Sequence, residues 1–155
     1  MKRIVLISCV SRKGKTKAKA KDLYKGPLFT NSLAYARSQK PDKIFVISAL
    51  HHVLDLEQEI EPYDVTLSYL SPKKKAEKPN PKVLTKQEAI YWGQKVIPQL
   101  SKIADLKKDK FIILAGESYV RPIRSGLKNI EEPLKGLGLL ERVKFLKGNY
   151  ENTEL

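Results

Sequence analysis

Residues 48–64, SALHHVLDLEQEIEPYD, gather five carboxylates and the chain's two histidines without one Lys or Arg, although the whole chain carries a formal charge of +13. Carboxylates beside imidazoles can move protons and stabilise a growing positive charge. At the end of the run, Glu61 and Asp64 flank Pro62 and Tyr63. Proline fixes its own φ and steers the preceding residue towards extended backbone, so a rigid segment is expected here. A rigid carboxylate beside an aromatic ring suits two jobs: the ring stacks on a base while the carboxylate activates water or stabilises a sugar cation. The alternative for Asp64 is a plain turn in which it caps backbone N–H groups. His51 and His52 cannot both face inward on a strand, because successive side chains alternate. One of the two is therefore the candidate for a binding or catalytic role.

Two further segments carry reactive side chains. SCVSRKGK, from Ser8 to Lys15, places hydroxyls and a thiol ahead of cations. AGESYV, from Ala115 to Val120, offers Gly116 for close backbone approach and a helix start at Glu117 to Tyr119. Backbone N–H groups at such a start suit an anion. Ser8, Cys9, Ser11, Lys13, Ser48, His52, Tyr63, Gly116 and Tyr119 are the expected substrate-binding residues, and Asp64, Glu61 and His51 the expected catalytic ones. Cys9 reads as a small buried side chain before it reads as a nucleophile. No Ser-His-Asp spacing supports a triad. A single cysteine and no Cys/His cluster of zinc spacing lead to an expectation of no metal and no cofactor.

Charge points to the partner. Residues 1–43 hold twelve Lys or Arg against two acids, and SPKKKAEKPNPK is a second basic run. Such asymmetry favours a phosphate-bearing partner, because each neutralised phosphate releases counterions. Arg12, Lys15, Lys17 and Lys19 are the expected phosphate contacts, on DNA in preference to RNA. The bland alternative is a Lys-rich face that keeps the protein in solution. No run of about 18 apolar residues exists, so the expectation is a cytoplasmic monomer that does not enter a membrane.

Three short, β-branched apolar runs read as buried strands: 3–8, 43–48 and 110–116. Helical patterns lie between them, at Pro27 to Gln39 and at Lys86 to Leu106. The second has Thr85 and Glu88 at capping-box spacing and a stripe of Ala89, Gly93, Val96, Ile97, Leu100 and Ala104. Pro98 predicts a kink or break in it. Shorter helices are expected at 117–127 and 138–147. Strands alternating with helices imply right-handed parallel crossovers, hence one α/β/α three-layer sandwich over residues 1–150 with a 151–155 tail. Residues 71–84 read as an exposed basic excursion. Open parallel sheets bind ligands at the carboxyl ends of their strands, so the segments from Ser8, Ser48 and Gly116 should meet around one hollow.

LISCVSRK, AKAKDLYKGPLF, ISALHHVLDLEQEIEPYDVTL, LAG and PLKGLG together resemble a family of small uncharacterised prokaryotic proteins. Its second block reads Ser-Ala-Lys-Tyr-Gly-Leu-Leu, then an acidic gap, then Pro-Tyr-Asp. That block is similar to the DNA-binding YaaA proteins of peroxide stress and, more distantly, to uracil-DNA-glycosylase-like domains. The matching positions begin with Ser8, Cys9, Ser11, Lys13, Leu23, Tyr24, Leu28 and Phe29. They continue with Ser48, Ala49, Leu54, Pro62, Tyr63 and Asp64, and end with Gly116, Pro133, Leu134 and Gly136. Leu50, His51 and His52 stand where the family has Lys-Tyr-Gly, and a histidine tolerates a glycine's special backbone angle poorly.

The resemblance implies an enzyme on a uracil-DNA-glycosylase-like fold that cleaves an N-glycosidic bond and releases a modified or damaged base. Tyr63 would stack on that base, Asp64 or Glu61 would face the sugar, and His51 would bond the leaving base. The acidic run would form one wall of a pocket with a basic rim. The alternative is a YaaA-like binder of DNA or nucleotides without chemistry, in stress response or defence. A nucleoside-phosphate hydrolase or transferase using the SCVSRK loop ranks last, since the loop lacks phosphate-loop glycine spacing.

Overall fold

A computed structural model of the chain describes residues 1–77 and 81–153. Ile4, Val5, Leu6 and Ile7 are each at most 1% exposed, and together they form most of strand β1 (Arg3–Ser8). Successive strand residues point to opposite faces. Four buried neighbours in a row therefore mean that both faces of the sheet are covered here. Strand β3 (Lys43–Ser48) pairs with β1 in parallel, Leu6 beside Phe45, and β8 (Lys110–Leu114) pairs in parallel on the other edge, Leu6 beside Ile113. Each fully buried Ile, Leu or Val contributes roughly 1.5–3 kcal/mol, so this central trio anchors the core.

The three expected strands are present, the third ending at Leu114 two residues early. Two short edges complete the sheet in the order β4-β3-β1-β8-β9. Strand β4 (His52–Asp55) is antiparallel to β3, and β9 (Ile130–Glu131) is parallel to β8. The architecture is α/β with a five-stranded mixed sheet, and the described residues hold six helices.

Two small ribbons lie outside this sheet. β2 (Ala18–Lys19) leads into α1 (Ala20–Leu23) and pairs antiparallel with β5 (Glu59–Ile60). β6 (Val65–Thr66) pairs in parallel with β7 (Lys82–Val83). Between the last two lies α3 (Pro72–Glu77), so the expected basic excursion at 71–84 contains a helix and a strand, with 78–80 outside the described residues.

Helix α2 (Pro27–Ser38) opens with Pro27 at its first position after Gly26, whose φ of +97° suits glycine. Helix α4 (Lys86–Ser101) carries the expected capping box, Glu88 N–H to Thr85 Oγ1 and Thr85 N–H to Glu88 Oε1, both 3.1 Å. It passes through Pro98 and stops at Ser101, not Leu106. The missing proline N–H costs one i→i−4 bond, and the helix ends only three residues later. Helix α5 is Glu117–Arg124, and α6 (Leu139–Thr153) runs into the segment expected as a tail. The helices pack in two pairs. Tyr35 and Phe145 rings join α2 to α6, with Tyr150 O–H donating to Asn31 Oδ1 at 2.7 Å. Gly93 joins α4 to α5. Among the described residues no helix is long and apolar enough to cross a membrane.

A Cβ on Gly93 would meet the Pro122 carbonyl oxygen and stand 2.9 Å from its carbon. Both atoms are backbone and cannot swing away. Gly93→Ala should therefore push α4 off α5 at a cost of about 1–3 kcal/mol, read as a lower urea midpoint. An unchanged midpoint would show that the two helices are not in backbone contact.

Candidate functional site

Pairing of β1 ends at Ser8 and that of β8 at Leu114, and both chains leave the sheet at the same edge. Ser8, Cys9, Ser11 and Lys13 from the first exit and Gly116 and Tyr119 from the second line a cavity of about 490 Å3. Asp64, Thr66 and Ser68 around β6, Lys74 and Glu77 of α3, and Leu139 and Arg142 of α6 line it as well. A volume of that size falls in the range of small-ligand sites.

Two hydrogen-bonded sets of side chains stiffen the walls. In the first, Cys9 Sγ and Tyr119 Oη are 3.2 Å apart, and Tyr119 Oη reaches Thr66 Oγ1 and the Leu67 N–H at 3.4 Å each. One phenol thus ties the β1 exit, α5 and β6 together. Burial pushes its pKa well above the ordinary tyrosine range, so it is a neutral O–H near neutral pH. The Trp92 ring stands edge-on to Tyr119 at 5.8 Å, and its Nε1–H donates to the Ser48 carbonyl at 2.8 Å.

The second set lies behind the cavity. Ser48 Oγ accepts from the Leu50 and His51 N–H groups at 3.3 and 3.0 Å and lies 2.7 Å from Tyr63 Oη. A hydroxyl has two lone pairs and one proton. With both lone pairs engaged, Ser48 donates to Tyr63, and Tyr63 donates on to Tyr24 Oη at 2.6 Å. Burial raises both phenols above their ordinary value. Lys13 Nζ sits 4.4 Å from the centre of the Tyr63 ring, and His51 meets that ring edge-on at 5.2 Å. Lys13 itself is held in place by its bridge to Tyr24 and by Gly14 N–H to Leu23 O at 2.8 Å. Burial lowers its pKa, against the opposing pull of Cys9 and then Asp64.

Seven expected residues therefore share the cavity: Ser8, Cys9, Ser11, Lys13, Asp64, Gly116 and Tyr119. Others do not reach it. Ser48 is buried behind Tyr63. Tyr63 lines a second hollow with Ser11, Lys13, Gly14, Pro62 and Asp64, and Lys13 Nζ lies over one face of its ring. His51 packs on Tyr63, His52 opens β4, and Glu61 is exposed outside both hollows. Arg12, Lys15 and Lys17 are exposed and away from the cavity wall, whereas Lys19 pairs with Glu57 at 2.9 Å.

The acidic run is also corrected. Glu57 is clamped by Lys19 and by Lys21 at 2.6 Å and pulled down to a pKa of about 2, chiefly by the Lys21 hydrogen bond. Glu59 pairs across to Lys19 in the β2–β5 ribbon. Glu57 thus answers the basic Lys19 and Lys21 beside this ribbon, and Asp64 alone of the run lines the cavity. Arg142, Thr66 and Lys74 were not expected there. Trp92 had a signal, because it sits three residues after Ala89 and four before Val96 on the same helical stripe. Among the described residues no group of three His, Cys, Asp or Glu side chains could hold a metal ion.

Residues 4–148 match a family of unknown function (DUF6884). No curated protein matches the chain.

His52 adopts a φ of +65°, the left-handed region, at the position where the related block carries glycine. Both histidines are held below the ordinary imidazole value of 6.5, His51 by burial, and His52 by burial, then Lys95, then His51. A base whose folded pKa is depressed binds protons more readily when unfolded, so stability is full above the unfolded value and declines as pH falls through the folded one. The urea midpoint should therefore drop between pH 7 and pH 5. His52→Gly should drop less and start higher at pH 7, since the left-handed angle costs an L-residue about 1–2 kcal/mol. Superimposable pH profiles for the two proteins would remove His52 as a cause.

Proposed function

The chain belongs to that family of unknown function, and we propose that it cleaves or exchanges an N-glycosidic bond in a nucleic acid, releasing a modified or damaged base from DNA. The observation that carries this reading is Asp64 on the wall of a cavity built at the ends of β1 and β8, beside a part-buried lysine. As the C1′–N bond breaks, its electron pair leaves with the base and positive charge grows on the sugar. The Asp64 carboxylate stabilises that charge, orients the water whose oxygen adds to C1′ and accepts the proton that this water gives up. Lys13, with the Ser8 and Ser11 hydroxyls, supplies donors for the departing base in place of His51. The same reading takes the covered sheet for the three-layer sandwich of uracil-DNA-glycosylase-like proteins, the family for a relative of YaaA, and the protein for a cytoplasmic one. The charge of +13 supports a polyanionic partner.

A second reading, a DNA or nucleotide binder without chemistry, draws on two observations. Leu50, His51 and His52 replace the Lys-Tyr-Gly of the related block, and Lys13 Nζ lies over one face of the Tyr63 ring.

Incubation with a panel of DNA and RNA oligomers bearing modified bases, followed by alkaline cleavage, separates the two. Asp64→Asn should lower abasic-site formation by about 10²–10⁴-fold with little change in affinity. If the unaltered protein leaves no abasic site on any oligomer, the catalytic reading falls and the binder stands. Replacing Arg12, Lys15 and Lys17 with Ala should flatten the salt dependence of binding by about 0.9 for each phosphate that the protein then leaves to its counterions. An unchanged slope would mean that DNA does not touch this segment.

A further inference from the structure

Arg142 is a part-buried cation on the cavity wall. Its Nε–H donates to the Leu137 carbonyl at 2.9 Å, which fixes the side chain, and among the described residues neither terminal nitrogen of the guanidinium has a hydrogen-bond partner. Among the described residues it makes no other side-chain hydrogen bond and no ion pair. The fold treats another part-buried guanidinium differently. Arg124 is gripped by Glu117 at 2.6 and 2.7 Å and by Glu132 at 2.9 and 3.1 Å. A buried charge is costly unless it is paired. Among the described residues Arg142 thus has no ion-pair partner, although Asp64 and Glu77 line the same cavity.

Two neighbours sharpen this. Lys13 is a second part-buried cation on the same wall, seated over the Tyr63 ring with no carboxylate within ion-pair distance among the described residues. Gly116 makes room for the guanidinium: a Cβ there would stand 3.2 Å from Nη1 and 3.4 Å from Nη2 of Arg142. Its φ of −76° is one that any residue adopts, so the close approach of Arg142, and not backbone conformation, is what glycine serves here. The guanidinium end of Arg142 lies against the stretch that opens α5.

We infer that Arg142 grips a phosphate group of the ligand that occupies this cavity. A planar guanidinium with two N–H-bearing ends matches phosphate oxygens in a bidentate fork, a geometry that an ammonium lacks. The ligand class is a phosphate ester of a nucleoside, which is either a free nucleotide or the diester beside the nucleotide being acted on. This inference rests on the nucleic-acid reading above for the nucleoside part only. The phosphate part comes from Arg142, Lys13 and Gly116.

The test is equilibrium binding by the full chain. The probes are the four deoxynucleoside 5′-monophosphates, their nucleosides, and a ten-residue oligothymidylate with and without a 5′-phosphate, each competed with inorganic phosphate. Expected is at least tenfold tighter binding of one phosphorylated probe than of its unphosphorylated partner, shrinking to within about threefold in Arg142→Gln. Gly116→Ala, which displaces the guanidinium while keeping its charge, should weaken that preference as well, with the thermal midpoint of both variants near that of the parent. A preference carried by monophosphates identifies a free nucleotide. If the oligomer binds through internal diesters, it binds equally with or without its 5′-phosphate, and Arg142→Gln and Gly116→Ala both weaken it. The inference is overturned if Arg142→Gln leaves every affinity unchanged, or if no probe binds at millimolar concentration. Phosphate preference without base release would sink the reaction alone, and base release that is indifferent to Arg142 would sink the phosphate grip alone.

Discussion

Every hydrogen-bonding group along β1 must find its partner in β3 or β8, because the residues from Ile4 to Ile7 lie in a core that water does not enter. That requirement fixes the register of three parallel strands and brings their carboxyl ends to one level. Where pairing stops, the chain has to turn away, and parallel neighbours turning in different directions leave space between them. The cavity is thus a by-product of how β1 is satisfied. Its far walls are not made by the sheet at all. They are supplied by β6, α3 and α6.

Two tyrosines convert that space into a defined shape. Tyr119 draws β6 towards Cys9, and Tyr63 ties the Ser48 turn to Tyr24. Each buried hydroxyl would be a liability if unpaired, and each is instead bonded to another group of the same site. Shape and polarity are therefore coupled. A change that opens one wall also strands a buried polar atom elsewhere.

What could be read in the sequence follows the same division. Continuous apolar runs announced β1, β3 and β8, since a strand buried on both faces needs no alternation. The edges β4 and β9 are short and partly polar, so they left no such mark. The α4 capping box is a local pattern and was legible, whereas the end of that helix was not. The charge pattern misled, because a run of acids looks like a site until its partners are known. Lys19 and Lys21 come from a segment more than thirty residues away and reach Glu57 only through the β2–β5 ribbon. Arg142 was silent for the opposite reason: one cation in a lysine-bearing helix carries no signal until α6 is laid on α2 and aims it at Gly116. Ser8, Cys9, Ser11 and Lys13 were legible because strand exits in a parallel sheet have a predictable place, and Asp64 because Pro62 and Tyr63 mark a rigid segment beside it.

The strand order has a temporal side. During synthesis β1 emerges first, with β3 soon after, yet its other edge waits for β8, which follows the whole of α4. Until then an apolar ribbon with an unpaired backbone edge faces the crowded cell, the situation in which nascent chains recruit chaperones or one another. The amino-terminal segment that emerges with it is rich in lysine. Like charge between nascent copies opposes their pairing through that edge, a consequence of the basic composition separate from anything the finished cavity binds.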